Sequence, residues 1–308
     1  MPTGLNELTQ AAKILLIKTG KGFVMLTDKL KEELKKHGLH ACLINQQDER
    51  IFTYVKEGKE NNHEVLNSVS KSVLGLLIGI ALDEGLMTLK TKTSDLISVH
   101  DSVQNCTVED LLTMQSGYSE KEWNKVIQSE NWGNTVQKMK AEKEGMTYNS
   151  FDSYLLILML AEASGRNPAD FAEEKLFEPL GITGWQWDRS TENYPIGGYG
   201  LKTSAEDLMK IGELVLHKGK WNGKQIVSEK WIESMLNPHV KNAVRGQSYG
   251  YHWWITADTP PVYYAAGREG KFLFIMPEKH LSAVFIGELP KQDLLPFQWF
   301  MKYVYPGD

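Results

Sequence analysis

Apolar and polar positions along the chain separate helices from strands. Five segments have the apolar content and the stop signals of helices: 5–17, 26–37, about 68–84, 154–163 and about 293–303. The most apolar of them contains the unbroken run from Val73 to Leu82, and Gly85 is placed to end it. This pattern predicts that the helix over 68–84 is buried on most of its surface.

Strand-like segments are found at both ends of the chain, at 42–45, 50–56, 249–256, 262–266, 272–276 and 281–287. The first two flank a polar turn and predict a hairpin. Early and late strands with helices between them predict one α/β domain built from residues 1–90 and 200–308. A mainly helical domain over 91–199 is then inserted between the two halves.

Two helix starts in the middle of the chain have capping sequences. Thr107 is followed by Asp110 and an apolar pair, and Thr203 is followed by Glu206. Between them, the glycine-rich stretch 195–200 predicts a loop. We expect this loop to mark the return of the chain to the α/β domain.

Charge and composition exclude several classes of function. The net charge is −5 with no basic block, so nucleic acid and anionic membrane are not expected partners. The N-terminus has neither the basic start nor the long apolar core of a signal peptide, and the run Val73–Leu82 is too short to span a bilayer. We therefore expect a cytoplasmic protein. The oligomeric state is left open.

Metal and phosphate sites are not predicted. The two cysteines, Cys42 and Cys106, have no ligand-like neighbours, and no H-E-x-x-H or C-x-x-C sequence occurs. His37 and His40 are three residues apart where a polar helix gives way to a loop, which predicts solvated histidines. Gly197–Gly200 lacks the Lys-Ser/Thr ending of a phosphate-binding loop. No cofactor is expected.

The strongest candidate chemistry is at the start of the apolar helix. Ser68 is followed three residues later by Lys71, a spacing that occurs nowhere else in the chain. On a helix these side chains share one face, with the serine at the positive end of the helix dipole. A desolvated lysine amine can take up the proton of such a serine. The pair therefore has the S-x-x-K arrangement of serine β-lactamases and penicillin-binding proteins.

A competing serine motif occurs at Gly246-Gln247-Ser248-Tyr249-Gly250, which has the G-x-S-x-G pattern of the α/β-hydrolase nucleophile. That motif needs a strand before the serine and a helix after it. Here a polar segment precedes Ser248 and a strand-like segment follows it. The sequence favours a turn that starts a strand.

A Ser-Lys enzyme also needs a group that relays the proton and donors for the oxyanion. Tyr148 and Ser150 are candidates; alternatively, the tyrosine is a loop aromatic and Ser150 caps the next helix. We expect Tyr148 to act as a base only if a nearby cation, naturally Lys71, lowers its pKa. Residues 264–271 are a candidate edge strand beside the nucleophile, or an ordinary turn with glycines.

Several segments in order resemble the class C β-lactamase-like serine hydrolases, from about residue 40 onward. The family includes class C β-lactamases, D-aminopeptidases, esterases and 6-aminohexanoate-dimer hydrolases. The segments that resemble it are 68–75, 107–117, 148–150, 198–208 and 249–254. The resemblance implies a β-lactamase/D,D-peptidase-like fold, which is an antiparallel sheet flanked by helices from both chain ends with an inserted helical domain.

Two positions depart from the family pattern. Ser150 replaces the last residue of Tyr-x-Asn, and Ala265-Ala266-Gly267 replaces the strand motif Lys/His-Thr/Ser-Gly. The family's cation there helps to hold the carboxylate of a β-lactam or a D-Ala-D-Ala peptide, so both substrates are disfavoured. Both departures are similar to the aminohexanoate-dimer hydrolases. Arg268 and Lys271 are candidates to restore a positive charge.

The resemblance assigns roles to individual residues. Ser68 attacks, Lys71 accepts its proton, and Tyr148 passes that proton to the leaving group. The candidates for the oxyanion and substrate site are Ser150, Ala266, Gly267, Arg268 and Glu269, with the amides of Ser68 and Arg268 as oxyanion donors. Trp132, Trp253 and Trp254 are further candidates, together with Glu269, to line an aromatic pocket, although core packing is also open to Trp253 and Trp254.

The sequence thus predicts a serine hydrolase that forms an acyl-enzyme on a small-molecule amide or ester. The first alternative is a β-lactamase or D,D-peptidase. The second is a non-catalytic binding or sensor module on the same fold, which would not need Ser68, Lys71 and Tyr148 together.

Overall fold

The computed structural model describes residues 18–19, 22–23 and 26–305, so the helix predicted over 5–17 lies outside the described residues. The strands are β1 Lys18–Thr19, β2 Gly22–Phe23, β3 Ala41–Gln46, β4 Glu49–Val55, β5 Glu64–Val65, β6 Gln186–Trp187, β7 Leu201–Thr203, β8 Lys220–Trp221, β9 Lys224–Gln225, β10 Val240–Val244, β11 Gln247–Tyr249, β12 Trp254–Ile255, β13 Tyr263–Gly267, β14 Lys271–Met276 and β15 Leu281–Ile286.

The helices follow the predicted positions closely. They are α1 Leu26–His37, α2 Val69–Asp83, α3 Thr93–Leu96, α4 Val108–Leu112, α5 Glu120–Ile127, α6 Trp132–Val136, α7 Phe151–Ser164, α8 Pro168–Ala172, α9 Ala205–Leu216, α10 Glu229–Met235 and α11 Leu295–Trp299. Short 3₁₀ turns cover Asp101–Val103 and Pro277–Lys279, and π-helical turns continue two helices over Glu173–Phe177 and Phe300–Val304.

Eight strands form one antiparallel sheet in the order β10-β11-β12-β13-β14-β15-β3-β4. The early hairpin β3–β4 joins the late strands through β15, where Ala41 lies opposite Ile286. The two ends of the chain therefore build one sheet, which confirms the predicted fold class. The division into 1–90 with 200–308 and 91–199 stays a prediction.

Each face of the sheet is covered by helices. Alternate residues of β14 point to opposite faces, so Phe274 joins one hydrophobic cluster and Leu273 the other. On the first face Phe274 stacks on Phe300 with ring centroids 4.0 Å apart. On the second face α9 and α2 pack against the sheet. The central strands β14 and β15 are therefore buried on both sides.

Helix α2 is held in place by a close contact with α10. An added Cβ at Gly79 would lie 2.0 Å from the Trp231 ring, so only glycine leaves room for the indole. The Trp231 Nε1 donates to the Gly75 carbonyl oxygen at 3.1 Å. The contact fixes the helix that begins immediately after Ser68. Within the described residues, no helix combines the length and the apolar content that crossing a bilayer requires.

Two local predictions were wrong, and one strand was missed. The segment predicted as one strand over 249–256 is interrupted, and only its two ends pair, in β11 and β12. Strand β10 was missed because it is a largely exposed edge strand that contains the polar pair Lys241 and Asn242. The cap of α9 is Ser204, whose Oγ accepts from the Asp207 N–H at 3.1 Å, instead of the predicted Thr203.

Candidate active site

Ser68 and Lys71 meet at the N-terminus of α2, as their spacing predicted. Ser68 is the N-cap residue but makes no side-chain capping bond, which leaves its hydroxyl available. The Lys71 Nζ donates to the Ser68 Oγ at 3.2 Å. Ser70, between them, points the other way: its Oγ donates to the Asn67 carbonyl oxygen at 2.7 Å and accepts from the Leu201 N–H.

Lys71 is buried beneath the serine, with a side chain that is only 1% exposed. Its ammonium also donates to the Gly198 carbonyl oxygen at 2.8 Å and to the Ser150 Oγ at 3.4 Å. Burial lowers the pKa of Lys71 to about 8, with Glu120 opposing the shift. A substantial fraction of this amine is therefore neutral near pH 8 and able to accept a proton.

Tyr148 lies on the other side of the serine. Its hydroxyl is hydrogen-bonded to the Ser68 side chain, and the Lys71 Nζ lies 4.9 Å from the ring centroid. Burial raises the pKa of Tyr148 to about 12, so the condition under which Tyr148 would act as a base, a pKa lowered by Lys71, is not met. A half-neutral lysine offsets the desolvation of a phenolate only weakly. Tyr148 is thus a neutral proton donor near neutral pH.

Ser150 connects the lysine to an acid that the sequence analysis missed. Its Oγ donates to the Glu120 Oε1 at 2.8 Å while it accepts from Lys71. An added Cβ on Gly198 would lie 3.0 Å from the Ser150 Cβ, so the glycine-rich loop packs directly on this serine. Glu120 stands in the first turn of α5, where an acidic residue is explained by capping alone, and the sequence offered no further signal.

Asp152 is a second acid that the sequence analysis missed. It is fully buried in α7, where the Ser116 hydroxyl donates to its Oδ1 and its Oδ2 has no partner among the described residues. Burial raises the pKa of Asp152 to about 7, and its charge also acts on Lys71. An acidic residue within a strongly apolar helix was the signal that could have identified it.

Strand β13 passes directly beside the start of α2. An added Cβ on Gly267 would lie 2.3 Å from the Leu66 carbonyl oxygen, so the close approach requires glycine. The Asn67 Nδ2 also donates to the Arg268 carbonyl oxygen at 3.0 Å. These contacts bring the backbone of Gly267 and Arg268 next to Ser68.

Glu269 and Lys271, which follow β13 in the candidate strand segment, bond to each other and not to Ser68 or Lys71. The Glu269 carboxylate accepts from the buried Lys271 Nζ at 3.1 Å, and the Glu269 N–H donates to the Asp293 Oδ1 at 2.5 Å. Neither Glu269 nor Lys271 lines the cleft described below. Of the two cations considered from the sequence, only Arg268 reaches it.

A cleft of about 410 Å³ opens at Ser68 and Tyr148. Its other lining residues are mostly apolar or aromatic: Val244, Arg245, Gln247, Trp254, Tyr264, Ala266, Gly267, Arg268, Phe272, Asp293, Leu294 and Phe297. Trp254 stands with its ring centroid 5.4 Å from that of Tyr148. Trp253 and Trp132 are in the hydrophobic core instead, so Trp254 alone of the three tryptophans lines the cleft.

The competing serine has no such surroundings. Ser248 lies in β11, after a turn at Arg245 and Gly246 that both have positive φ. No helix follows it, because the chain continues into β12. The prediction of a turn that starts a strand is confirmed.

Within the part of the chain that the structure describes, two groups of side chains have potential metal-ligand atoms within 4.8 Å of one another, and neither group lines the cleft. One contains His40, whose predicted solvation was wrong: it is 6% exposed and its Nδ1 lies 2.8 Å from the Glu64 Oε1. The other contains His217, whose Nε2 lies 2.8 Å from Asp48. Hydrogen bonds within the protein account for both histidines.

The chain is similar to several known proteins. A 6-aminohexanoate-dimer hydrolase from Paenarthrobacter ureafaciens is 22% identical over 304 residues, covering 86% of this chain and 76% of that protein. The structure of EstCE1, a hydrolase with promiscuous acyltransferase activity, matches with a TM-score of 0.77 at 14% identity, covering 91% of this chain and 98% of that one.

An octameric penicillin-binding protein homologue from Pyrococcus abyssi matches with a TM-score of 0.73 at 19% identity, covering 94% of this chain and 77% of that one. At these identities the structural matches describe the fold. The Beta-lactamase family model matches residues 26–291, which is most of the chain. The chain therefore belongs to the β-lactamase family of serine hydrolases.

Proposed function

We propose that the protein hydrolyses a small-molecule amide or ester through an acyl-enzyme on Ser68. One observation carries the proposal: the buried Lys71 Nζ lies 3.2 Å from the Ser68 Oγ, and burial lowers the pKa of Lys71 to about 8. A lysine in this state is available as a base at about pH 8 and above. A purely structural lysine would be paired with a carboxylate, whereas this one contacts two hydroxyls and a carbonyl oxygen.

In the first half of the reaction the Ser68 oxygen attacks the substrate carbonyl carbon as Lys71 takes the hydroxyl proton. The oxyanion accepts hydrogen bonds from the backbone amides of Ser68 and Arg268. The carbon–leaving-group bond then breaks as Tyr148 donates its proton to the departing nitrogen or oxygen. Lys71 returns its proton to Tyr148, with Ser150 holding the ammonium in place.

In the second half, water replaces the leaving group. Lys71, neutral again, takes a proton from the water, directly or relayed through the Tyr148 hydroxyl, as the water oxygen bonds to the acyl carbon. The ester bond to Ser68 breaks, and the Ser68 oxygen recovers its proton from Lys71. The carboxylic acid leaves and the free enzyme is restored.

The substrate class is argued from the strand beside the serine and from the relatives. Ala265 and Ala266 replace the cationic residue and the hydroxyl that would hold a β-lactam carboxylate. One relative is named as a hydrolase of the 6-aminohexanoate dimer, and a structural neighbour is described as a hydrolase with promiscuous acyltransferase activity. These features support acyclic amides or esters over antibiotics.

Three compounds test the proposal on the unmodified protein: a 4-nitrophenyl ester, a chromogenic cephalosporin and a fluorophosphonate. We expect ester turnover that stops after one equivalent of fluorophosphonate has reacted, with little cephalosporin turnover. Cephalosporin turnover faster than ester turnover would contradict the substrate class. A protein that neither turns over the ester nor reacts with the fluorophosphonate is not a serine hydrolase.

The pH dependence follows from the state of Lys71. Its pKa is lowered to about 8, and only the neutral amine accepts the serine proton, so kcat/KM should rise with pH through a midpoint near 8. Tyr148, with a pKa raised to about 12, should add no falling limb up to pH 10. The profile is measured with an ester whose own hydrolysis is subtracted. A rate that falls between pH 7 and 9 would rule out Lys71 as the base.

Tyr148→Phe should affect amides more than activated esters. An amine leaving group needs a proton, whereas 4-nitrophenolate leaves without one, so the loss in kcat should be about 10²-fold or more for an anilide and less than about tenfold for a nitrophenyl ester. Both rates are measured on the same preparation, which controls for folding. An equal loss on both substrates would show that Tyr148 does not act as the acid.

A further inference from the structure

The arginine side chains fall into two groups, those that make hydrogen bonds or ion pairs and those that make neither. Of the five in the sequence, Arg50 and Arg166 bind carboxylates of Glu206 and Glu174, and Arg189 donates to a backbone carbonyl. In the described part of the chain, the side chains of the remaining two, Arg245 and Arg268, have neither a hydrogen bond nor an ion pair. Both are exposed, and both line the cleft at Ser68.

The walls of this cleft also hold apolar surface that folding has left open. Val244 is 43% exposed and Leu294 is 47% exposed. Only one other large hydrophobic residue in the described chain, Ile127, is comparably exposed. The open apolar surface of this protein therefore concentrates at its cleft, which is a property of binding sites.

The two walls are anchored to the sheet. Val244 and Arg245 stand at the tip of the β10–β11 hairpin, and the Tyr264 hydroxyl donates to the Gln247 Oε1 of this hairpin at 3.2 Å. On the opposite side, Asp293, next to Leu294, is held by the Glu269 N–H. Asp293 is the one acidic residue of the lining, and this bond occupies one of its oxygens.

Between the walls runs an open strand edge. All five residues of β13 pair with β14, but only Tyr263 and Tyr264 pair with β12. Beyond Tyr264, among the described residues, no strand covers the other edge of Ala265, Ala266 and Gly267. This edge leads from Ser68 towards Tyr264, Phe272 and Phe297, so an extended substrate can lie along it.

We propose that the acyl group of the substrate is an extended apolar chain that ends in a carboxylate. The chain lies along the open edge of β13 between Val244 and Leu294, and the carboxylate binds Arg245 at the tip of the β10–β11 hairpin, while Arg268 adds positive charge to the same cleft. This inference rests on the proposed function, since it names the acyl group that Ser68 receives. The acyl part occupies the cleft because it stays bonded to Ser68 through both halves of the reaction, whereas the leaving group must depart past Tyr148.

Three esters of equal reach test the charge preference: the 4-nitrophenyl half-ester of adipic acid, 4-nitrophenyl hexanoate and 4-nitrophenyl 6-aminohexanoate. We expect kcat/KM for the anionic ester to exceed that of the neutral ester by about tenfold, because a carboxylate gains charge-assisted bonds to arginine. The cationic ester should be the poorest of the three. A fourth ester, 4-nitrophenyl acetate, tests the apolar walls of the cleft. We expect kcat/KM for the hexanoate to exceed that for the acetate by about tenfold or more.

Matched variants show which residues cause the charge preference and which cause the preference for a longer apolar chain. Arg245→Gln should reduce the adipate-to-hexanoate ratio of kcat/KM by at least about threefold, whereas Arg166→Gln, which alters an arginine paired with Glu174, should leave this ratio unchanged. Leu294→Ser should reduce the hexanoate-to-acetate ratio about threefold. The control is Ile127→Ser, which removes an equally exposed apolar side chain outside the cleft.

The outcomes separate this inference from the function on which it rests. Equal rates for the adipate and hexanoate esters, or a preference for the cationic ester, would overturn the inference if turnover still depends on Ser68. An adipate preference that survives Arg245→Gln and Arg268→Gln together would also overturn it. Absence of any Ser68-dependent ester turnover would overturn the proposed function itself.

Discussion

Ser68→Ala is expected to lower kcat for ester hydrolysis on the order of 10⁴-fold or more. The substitution removes the oxygen that forms the acyl-enzyme. Ser150, which also contacts the lysine, is directed at Glu120. The fold should be unaffected, because the Ser68 side chain makes no capping bond. The rate is measured with a 4-nitrophenyl ester on protein with an unchanged thermal midpoint.

Ser248→Ala is the matched control for this prediction. Ser248 stands in the chain's only other plausible nucleophile motif, G-x-S-x-G, but lies within strand β11. We expect its replacement to change kcat by less than about twofold, as for ordinary surface positions. If instead Ser248→Ala abolished turnover while Ser68→Ala retained it, the assignment of the nucleophile would be wrong.

Lys71→Met is expected to lower kcat about 10³-fold, within the range for loss of a general base. Methionine fills a similar volume without an ionisable group, so the effect reports the missing base. The free energy of unfolding should change by less than about 2 kcal/mol, because loss of the bond to the Gly198 carbonyl oxygen is offset by removal of a buried charge. Urea titration measures this change in the free energy of unfolding independently of activity.

The free energies of unfolding of the wild type and of Lys71→Met should also diverge as the pH changes. The pKa of Lys71 is lowered in the folded state from 10.5 to about 8, so the unfolded chain binds more protons between these values. The wild type should therefore gain stability relative to Lys71→Met as the pH rises from 8 towards 10. Lys271→Met is the control, since Lys271 is equally buried but pairs with Glu269 and should leave most of the activity. Similar activity losses in both variants would contradict a special role for Lys71.

The sheet and its helices could be predicted because the buried elements are visible in the sequence as apolar runs. The buried strands β14 and β15 are continuous apolar runs, and α2 is apolar on every face. Edge strand β10 escaped prediction because the polar pair Lys241 and Asn242 interrupts its apolar residues and most of the strand is exposed. For the same reason, the sequence did not indicate that Arg245, which follows β10, lines the cleft.

The candidate site shows the same division between local and long-range information. Ser68 and Lys71 are one helical turn apart, so their meeting follows from helix geometry. The contact of Ser150 with Glu120 joins residues 30 positions apart, and that of Lys71 with Gly198 joins residues 127 apart. Whether Lys71 lowers the pKa of Tyr148 could not be decided from the sequence for a related reason. Burial, which depends on the whole fold, outweighs the one nearby cation.

The central claim is that an acyl group is transferred to the Ser68 oxygen. Its most direct test is the intact mass of the protein after reaction with a fluorophosphonate, followed by proteolysis to locate the modified residue. We predict one added phosphonyl group per chain, located on the peptide that contains Ser68 and absent in Ser68→Ala. A phosphonyl group on any other residue, or none at all on correctly folded protein, would contradict the account.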